Sequence, residues 1–189
     1  GASVQTKTGR KYILDFMLFF KSIWLSEFDA WISFATMVTK KSKAWILVLD
    51  RGFRNRSLVH HIYHVLKRMF LVRLSVTQHV IQKGQKKSKS IRSFLSDKDA
   101  IQLEKGKMWI IKNVVINAWK EVFKEPVTVI VYRGNGFKNP LVICVSQAEM
   151  TVEEAISFVQ MYFRRWKIEQ LFKELKSYFR FEKFKVLSL

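Results

Sequence analysis

The feature that most constrains the fold is a continuous apolar run, AWILVLD, at residues 44–50. An uninterrupted run of this length is typical of a strand buried on both faces, as in a parallel sheet, and here it carries an acidic residue, Asp50, at its carboxyl end. A helical pattern at 57–70 and a second apolar strand at 70–76 follow. Strand, helix and strand within about 30 residues predict a βαβ unit with a right-handed crossover.

The other segments complete a mixed α/β pattern. SEFDAWISFATMVTK at 26–40 predicts an amphipathic helix, because Ser26 can cap it and apolar residues recur at helical spacing. The remaining predicted elements are a strand at 11–20, a basic loop at 82–92, strands at 107–117, 127–133 and 140–146, and a final helix over 152–179. The three later strands predict an antiparallel β insertion before the last helix.

The charge of the chain indicates a polyanionic partner. Lys and Arg number 34 against 15 Asp and Glu, which gives a net charge of +19. Nucleic acid is the usual partner of such a sequence, and an anionic membrane surface is the second choice. The apolar segment at 12–25 is interrupted by Asp15 and Lys21 and is shorter than the roughly 20 residues that a spanning helix needs, so we expect core and no membrane partner. Five basic residues in the loop can contact DNA or form a solvated surface: Lys83, Lys86, Lys87, Lys89 and Arg92.

The cysteine and histidine content limits the cellular compartments and the kinds of metal site to be expected. Cys144 is the one cysteine, so a disulfide framework and a cysteine metal cluster are excluded, and a reducing, cytoplasmic location is expected. Cys144 lies in an apolar strand and is interpreted as a small buried hydrophobe. His60, His61 and His64 include a pair at i, i+4 that can ligate zinc, but without an evident third ligand we interpret them as surface or partly buried histidines.

The last predicted helix contains MYFRRWKIEQLFKELKS at 161–177, in which a glutamate lies among basic residues. Because successive residues rotate by roughly 100° around a helix, Tyr162, Arg165, Glu169 and Lys176 fall within an arc of about 60°. A polar stripe of this kind is often a solvated surface with weak ion pairs. The same four side chains can instead form one functional surface.

The spacing Tyr-x2-Arg-x3-Glu-x6-Lys resembles the signature of bacterial insertion-sequence transposases that use a DDE catalytic triad. VLDRGF at 48–53 is similar to the second-Asp motif of that family, and the likeness extends from about residue 26 onward. It implies an α/β, ribonuclease H-like mixed sheet with flanking helices, incomplete at its N-terminus. The expected layout is one partial catalytic domain over 1–189, with a core at about 11–76 and 151–189 and a β insertion at about 77–150.

The resemblance also implies a chemistry and a partner. In that family two Asp and one Glu hold two Mg²⁺ ions, or Mn²⁺, for cleavage and strand transfer at transposon ends. Residue by residue, Asp50 corresponds to the second acid and Glu169 to the final one, while Tyr162, Arg165 and Lys176 would hold phosphates. The implied partners are transposon-end and target DNA, with a possible homodimer on DNA, at the nucleoid of a bacterial cytoplasm.

The first Asp of the triad has no convincing counterpart. Asp29 falls in the first turn of a predicted helix, and Asp15 leaves too short a segment before Asp50 for the strands that the family places there. We therefore expect a fragment whose first catalytic Asp lies upstream or has been lost, and which is inactive alone. The alternatives are a basic nucleic-acid-binding module without enzymatic activity and a degenerate transposase fragment.

Overall fold

A computed structural model describes residues 2–5, 11–15, 27–41, 46–136 and 138–178. Within these residues the chain forms an eight-stranded mixed sheet, a separate two-stranded sheet and three α-helices. The strands of the small sheet are β1 (Ala2–Gln5) and β2 (Lys11–Asp15). The strands of the large sheet are β3 (Ile46–Leu49), β4 (Met69–Arg73), β5 (His79–Gln82), β6 (Lys89–Ser90), β7 (Ile101–Leu103), β8 (Gly106–Ile116), β9 (Val127–Gly134) and β10 (Leu141–Val145). The helices are α1 (Glu27–Lys41), α2 (Arg56–His60) and α3 (Val152–Tyr178).

The sheet has the order β3-β4-β10-β9-β8-β5-β6, with β7 also paired to β8. The β3–β4 pair is parallel, whereas β4 pairs with β10, β10 with β9, and β9 with β8 in antiparallel fashion. The predicted mixed α/β class with flanking helices is therefore confirmed. The division into a core and a β insertion stays a prediction, and the strands assigned to both belong to one sheet.

The parallel unit departs from the sequence prediction in two ways. The predicted helix over 57–70 is too long: α2 continues as a π-helical turn over His61–Val65, and β4 begins at Met69. The chain leaves the helix because Lys67 adopts a left-handed conformation, with φ 52°. The prediction that β3 is buried on both faces is also wrong, since all four of its residues are half-buried. Among the described strands β3 ends the strand order and pairs with β4 alone.

The basic loop predicted over 82–92 is confirmed for its central part, 83–88, while the residues on either side belong to two short strands and a 3₁₀ turn. Strands β5 and β6 pair antiparallel, and a 3₁₀ turn over Ile91–Phe94 follows. Strand β5 has only four residues, with Val80 and Ile81 adjacent, and β6 has two polar residues, so neither shows the alternation that predicts a strand. The pairing partner for β5 is β8, to which it also runs antiparallel.

The two faces of the sheet are covered by different helices. On one face, buried residues of α2 and an aromatic group formed by Phe70, Trp119 and Phe123 pack against the sheet. On the other face, α3 packs through Ala155, Phe158, Val159 and Tyr162. Cys144 is fully buried in β10, as the sequence predicted, and burial raises the pKa of its thiol. In the described part of the chain, every helix is too short or too polar to cross a membrane.

The predicted elements at the N-terminal side have mixed outcomes. The helix over 26–40 is confirmed as α1. The strand over 11–20 is confirmed for β2, while 16–20 and the capping Ser26 lie outside the described residues. Asp29 lies in the first turn of α1, as expected.

Candidate active site

The first part of the site is the carboxyl end of β3. Asp50 directly follows the strand and precedes a 3₁₀ turn over Arg51–Phe53, which is closed by a bond from the Phe53 amide to the Asp50 carbonyl at 2.9 Å. Its backbone is extended, with φ −80° and ψ 171°. The side chain is 40% exposed, so the carboxylate is at the surface of the sheet edge.

The second part of the site is helix α3, which begins with a capping box. The Thr151 hydroxyl accepts a bond from the Glu154 amide at 3.2 Å, and the Glu154 carboxylate accepts one from the Thr151 amide at 2.8 Å. The helix then buries Phe158, Val159 and Tyr162 against the sheet. Tyr162 is only 1% exposed, and Arg165, one turn later, is held at the margin of the buried surface.

These two parts meet in one polar cluster. Tyr162 Oη donates to Asp50 Oδ1 at 3.1 Å, and Arg165 Nη2 donates to Tyr162 Oη at 3.3 Å. Arg165 Nη2 also lies 3.5 Å from Asp50 Oδ1, and its guanidinium carbon lies 5.1 Å from the centroid of the Tyr162 ring. The Arg165 side chain is 15% exposed. Three of the residues predicted from the sequence are thus brought together.

The protonation state of Tyr162 suits its role as a donor. Burial raises the pKa of its phenol, and the negative charge of Asp50 and the hydrogen bond to it act in the same direction. The positive charges of Arg165 and Arg73 lower that pKa but do not reverse the shift. Tyr162 therefore remains protonated at neutral pH and keeps its O–H directed at the carboxylate.

Arg73 is a site residue that the sequence reasoning missed. In the parallel pair Leu49 is aligned with Val72, so Asp50 and Arg73 are the next residues at the same edge of the sheet. Arg73 is close enough to influence the phenol of Tyr162 electrostatically. The signal available in the sequence was its place at the end of the second predicted strand, since parallel strands that are neighbours end at the same edge.

Two predicted site residues lie partly outside the described structure. The backbone of α3 continues through Glu169 and Lys176, but their side chains are outside the described residues. Glu169 follows Arg165 by four residues, which is about 6 Å along a helix axis. The side chain of Asp15, the alternative third acid, is also outside the described part.

The histidines make contacts of other kinds. The rings of His60 and His64 lie 4.6 Å apart, His64 Nε2 lies 3.7 Å from Glu125, and His61 Nε2 bonds the Thr36 hydroxyl at 3.2 Å. Burial, and then the neighbouring His60, lower the pKa of His61. Among the described residues, no three His, Cys, Asp or Glu side chains form a metal-binding group.

With this geometry established, the comparison with protein families is decisive. A family model described as transposase DDE domain matches residues 29–189, which include Asp50, Tyr162 and Arg165. The chain belongs to the transposase DDE domain family. No curated protein matches the chain. Membership confirms the coarse part of the sequence interpretation: transposase DDE domains are enzymatic, act on DNA and use a divalent metal.

The chemistry of Asp50 fits such a metal. A carboxylate is a hard oxygen ligand, and Mg²⁺ is commonly bound through one or two protein carboxylates together with water and substrate phosphates. Within the described part of the chain, both contacts of Asp50 fall on Oδ1, so Oδ2 has no described partner. A partly exposed carboxylate with one uncommitted oxygen fits a cation shared with a phosphate.

Proposed function

We propose that this chain carries catalytic carboxylates of a DNA transposase of the kind found in bacterial insertion sequences. The observation that carries the proposal is the convergence of Asp50 with Tyr162 and Arg165, which are 112 and 115 residues away along the chain. A solvated ion-pair surface gives no reason for a buried tyrosine to point at the acid that ends β3. A site that positions phosphates beside a metal-binding carboxylate explains this arrangement.

In this proposal Asp50 and Glu169 hold two divalent cations, Mg²⁺ or Mn²⁺. When bound, such cations activate a water or a DNA 3′-hydroxyl and stabilise the leaving oxygen of the phosphodiester. Glu169 belongs to this set because it continues the stripe of Tyr162 and Arg165 on α3. Its role rests on the family resemblance and on that spacing.

Arg165 and Lys176 hold the DNA phosphates, whereas Tyr162, which the sequence also assigned to phosphate binding, is buried and supports Arg165 instead. Arg165 presents a planar fork of donors that matches two phosphate oxygens, and Lys176 supplies a point charge. The ion pair with Asp50 and the ring of Tyr162 orient the Arg165 guanidinium before DNA arrives. Arg73, at the same sheet edge, adds a further positive charge beside the phosphate position.

The wider setting follows from the same proposal. The protein acts on transposon ends and target DNA in a bacterial cytoplasm, as a homodimer on DNA. The 189-residue chain alone neither cleaves nor joins DNA, because a two-metal site needs a third carboxylate to fix both ions and Asp15 is poorly spaced for it.

A nicking assay with Mg²⁺ or Mn²⁺ tests this proposal. It compares the chain alone with a version extended upstream by its natural reading frame to include an Asp-bearing strand. We expect cleavage by the extended protein alone, and loss of that cleavage in Asp50→Asn and Glu169→Gln. Glu174→Gln is the matched control, because exposed Glu174 on the same helix lies off the stripe.

Two results would contradict the assignment. Equal activity of the Glu169→Gln and Glu174→Gln proteins would remove Glu169 from the metal site. Metal-dependent cleavage by the short chain, abolished by Asp15→Asn, would make Asp15 the third acid. Mn²⁺ binding, measured by electron paramagnetic resonance, gives a second readout, in which Asp50→Asn weakens binding and Glu174→Gln does not.

A further inference from the structure

The positive charge of the chain is concentrated in one segment. Residues 51–96 contain 11 Lys and Arg and no Asp or Glu, so they contribute +11 of the net +19. The other residues contain 23 basic and 15 acidic side chains, which gives only +8. This segment begins at the residue after Asp50 and ends just before Asp97. A polyanion binding there meets no repulsive carboxylate from the segment itself.

The tip of the β5–β6 hairpin is the densest part of this segment. The turn is tight, with the Gln85 amide bonded to the Gln82 carbonyl at 2.9 Å and Gly84 at φ +82°. Its basic side chains are all exposed: Lys83, Lys86, Lys87 and Lys89. Within the described part of the chain, each ion pair lies elsewhere. The tip therefore presents four solvated ammonium groups within seven residues.

The hairpin tip and the strand end that carries Asp50 lie at the same end of the sheet. Strand β4 runs parallel to β3, and four successive antiparallel pairings lead from β4 through β10, β9 and β8 to β5. An even number of reversals leaves β5 parallel to β3. The turn after Gln82 and the carboxyl end of β3 thus lie toward the same end of the sheet.

The distance between the end of β3 and the hairpin tip can be spanned by a short DNA duplex. Strands β3 and β5 are five strand spacings apart, which is about 24 Å at 4.8 Å per spacing. At 3.4 Å per base pair, that distance corresponds to about 7 base pairs of duplex. A duplex whose scissile phosphate lies at Asp50 can therefore reach the hairpin tip.

We infer that the β5–β6 hairpin tip is a second DNA-binding surface, which contacts backbone phosphates about 7 base pairs from the phosphate at Asp50. This inference rests on the proposed function, which places DNA at Asp50. A membrane surface fits the hairpin less well. The large exposed apolar side chains of the described residues are Phe53, Val65 and Tyr178, and each lies outside the hairpin.

The test measures the salt dependence of binding to a duplex of about 20 base pairs, long enough to span both places, without metal and by fluorescence anisotropy. Each lost phosphate contact lowers the slope of log K against log salt by about 0.9. We expect Lys86→Gln/Lys87→Gln to lower the slope by about 1.8. If wild type and variant bind equally at 1 M salt, the variant should bind about 60-fold more weakly than wild type at 0.1 M salt. Lys86→Arg/Lys87→Arg should restore both.

The matched control is Lys120→Gln/Lys124→Gln. These lysines are also exposed, and they lie in the connection from β8 to β9, at the opposite end of the sheet. The control removes the same charge and should leave the slope within about 0.5 of the wild-type value, since it removes no phosphate contact.

The possible outcomes distinguish failure of the hairpin inference from failure of the proposed function. If the wild-type chain binds DNA and both lysine pairs change the slope equally, the hairpin inference is overturned while the proposed function stands. If the wild-type chain does not bind DNA at low salt, the proposed function fails, and the hairpin inference fails with it. Binding to phosphatidylserine-rich vesicles but not to DNA would likewise overturn both.

Discussion

The parallel pair β3–β4 and the antiparallel strands β8–β10 belong to one sheet, yet they serve different purposes. Strands β9 and β10 are almost fully buried, and the residues Thr128–Val131 have no exposed surface. Strand β3 is half-buried, and the pair β3–β4 ends in two charged residues, Asp50 and Arg73. The antiparallel strands bury apolar surface, whereas the parallel pair exposes its ends.

Stability and chemistry reside in different parts of this sheet. Apolar burial in β8–β10 stabilises the sheet in proportion to the area removed from water. The polar groups at the ends of β3 and β4 add little to stability, because a partly exposed ion pair is weak. Helix α3 joins the two regions, since its apolar residues pack on the sheet and Tyr162 and Arg165 reach Asp50.

The largest expected effect on stability lies in the antiparallel region. Ile130 in β9 is fully buried, and Ile130→Ala should lower the free energy of unfolding by about 2–5 kcal/mol, through lost burial and a new cavity. Denaturant unfolding measures this, and Ile130→Val should cost about 0.5–1.5 kcal/mol. Asp50→Ala should cost less than Ile130→Ala, because a partly exposed carboxylate buries little apolar surface. Equal losses for Ile130→Ala and Asp50→Ala would contradict the assignment of stability to the antiparallel strands.

Two glycines provide a second comparison between the antiparallel strands and the end of β3. Gly106 at the start of β8 has φ +147°, and a Cβ there would lie 2.2 Å from the carbonyl oxygen of Arg133. Gly106→Ala should therefore destabilise the protein by about 2–3 kcal/mol, from backbone strain and displacement of β9. Gly52, beside Asp50, has open space around it, and Gly52→Ala should stay within about 0.5 kcal/mol. Thermal unfolding of both proteins distinguishes them, and a reversed order would refute the steric argument.

A smaller effect is expected from tyrosine hydroxyls. Tyr162→Phe removes a buried O–H that joins Asp50 and Arg165, and it should cost about 0.5–1.5 kcal/mol. Tyr132 in β9 donates to the Lys105 carbonyl at 2.9 Å in an exposed place, where water can replace it. Tyr132→Phe should therefore cost less than Tyr162→Phe in denaturant unfolding. If Tyr132→Phe costs more, the cluster at Asp50 does not stabilise the fold.

The smallest effect is a dependence of stability on pH that arises in the parallel unit. The pKa of His61 is lowered from its ordinary value of 6.5 by burial and by His60. The unfolded chain therefore binds the proton first, and stability should fall as the pH drops below about 6.5. The slope that one titrating histidine can cause does not exceed about 1.4 kcal/mol per pH unit. Strands β8–β10 contain no histidine.

Urea unfolding between neutral and mildly acidic pH measures this slope. His61→Gln should reduce it, because glutamine does not titrate and can still bond the Thr36 hydroxyl. An unchanged slope in the His61→Gln protein would assign the effect to other groups.

Much of the fold was predictable from sequence, and the failures have physical causes. The strands at 107–117, 127–133 and 140–146 were placed to within a few residues, because apolar β-branched runs are strong signals. The end of α2 was missed because a single left-handed residue, Lys67, interrupts an amphipathic pattern. The β5–β6 hairpin was missed because its strands are only four and two residues long, too short for an alternating pattern to show.

The stripe of Tyr162, Arg165, Glu169 and Lys176 was predictable from the sequence, since helical spacing alone puts these residues on one face. The sequence also determined that Asp50 ends an apolar strand. The approach of Tyr162 and Arg165 to Asp50, and the position of Arg73 at the same sheet edge, became evident only from the tertiary structure. Those facts depend on strand register and on how α3 packs against the sheet. Both are set by contacts between residues far apart in the chain, which local patterns do not encode.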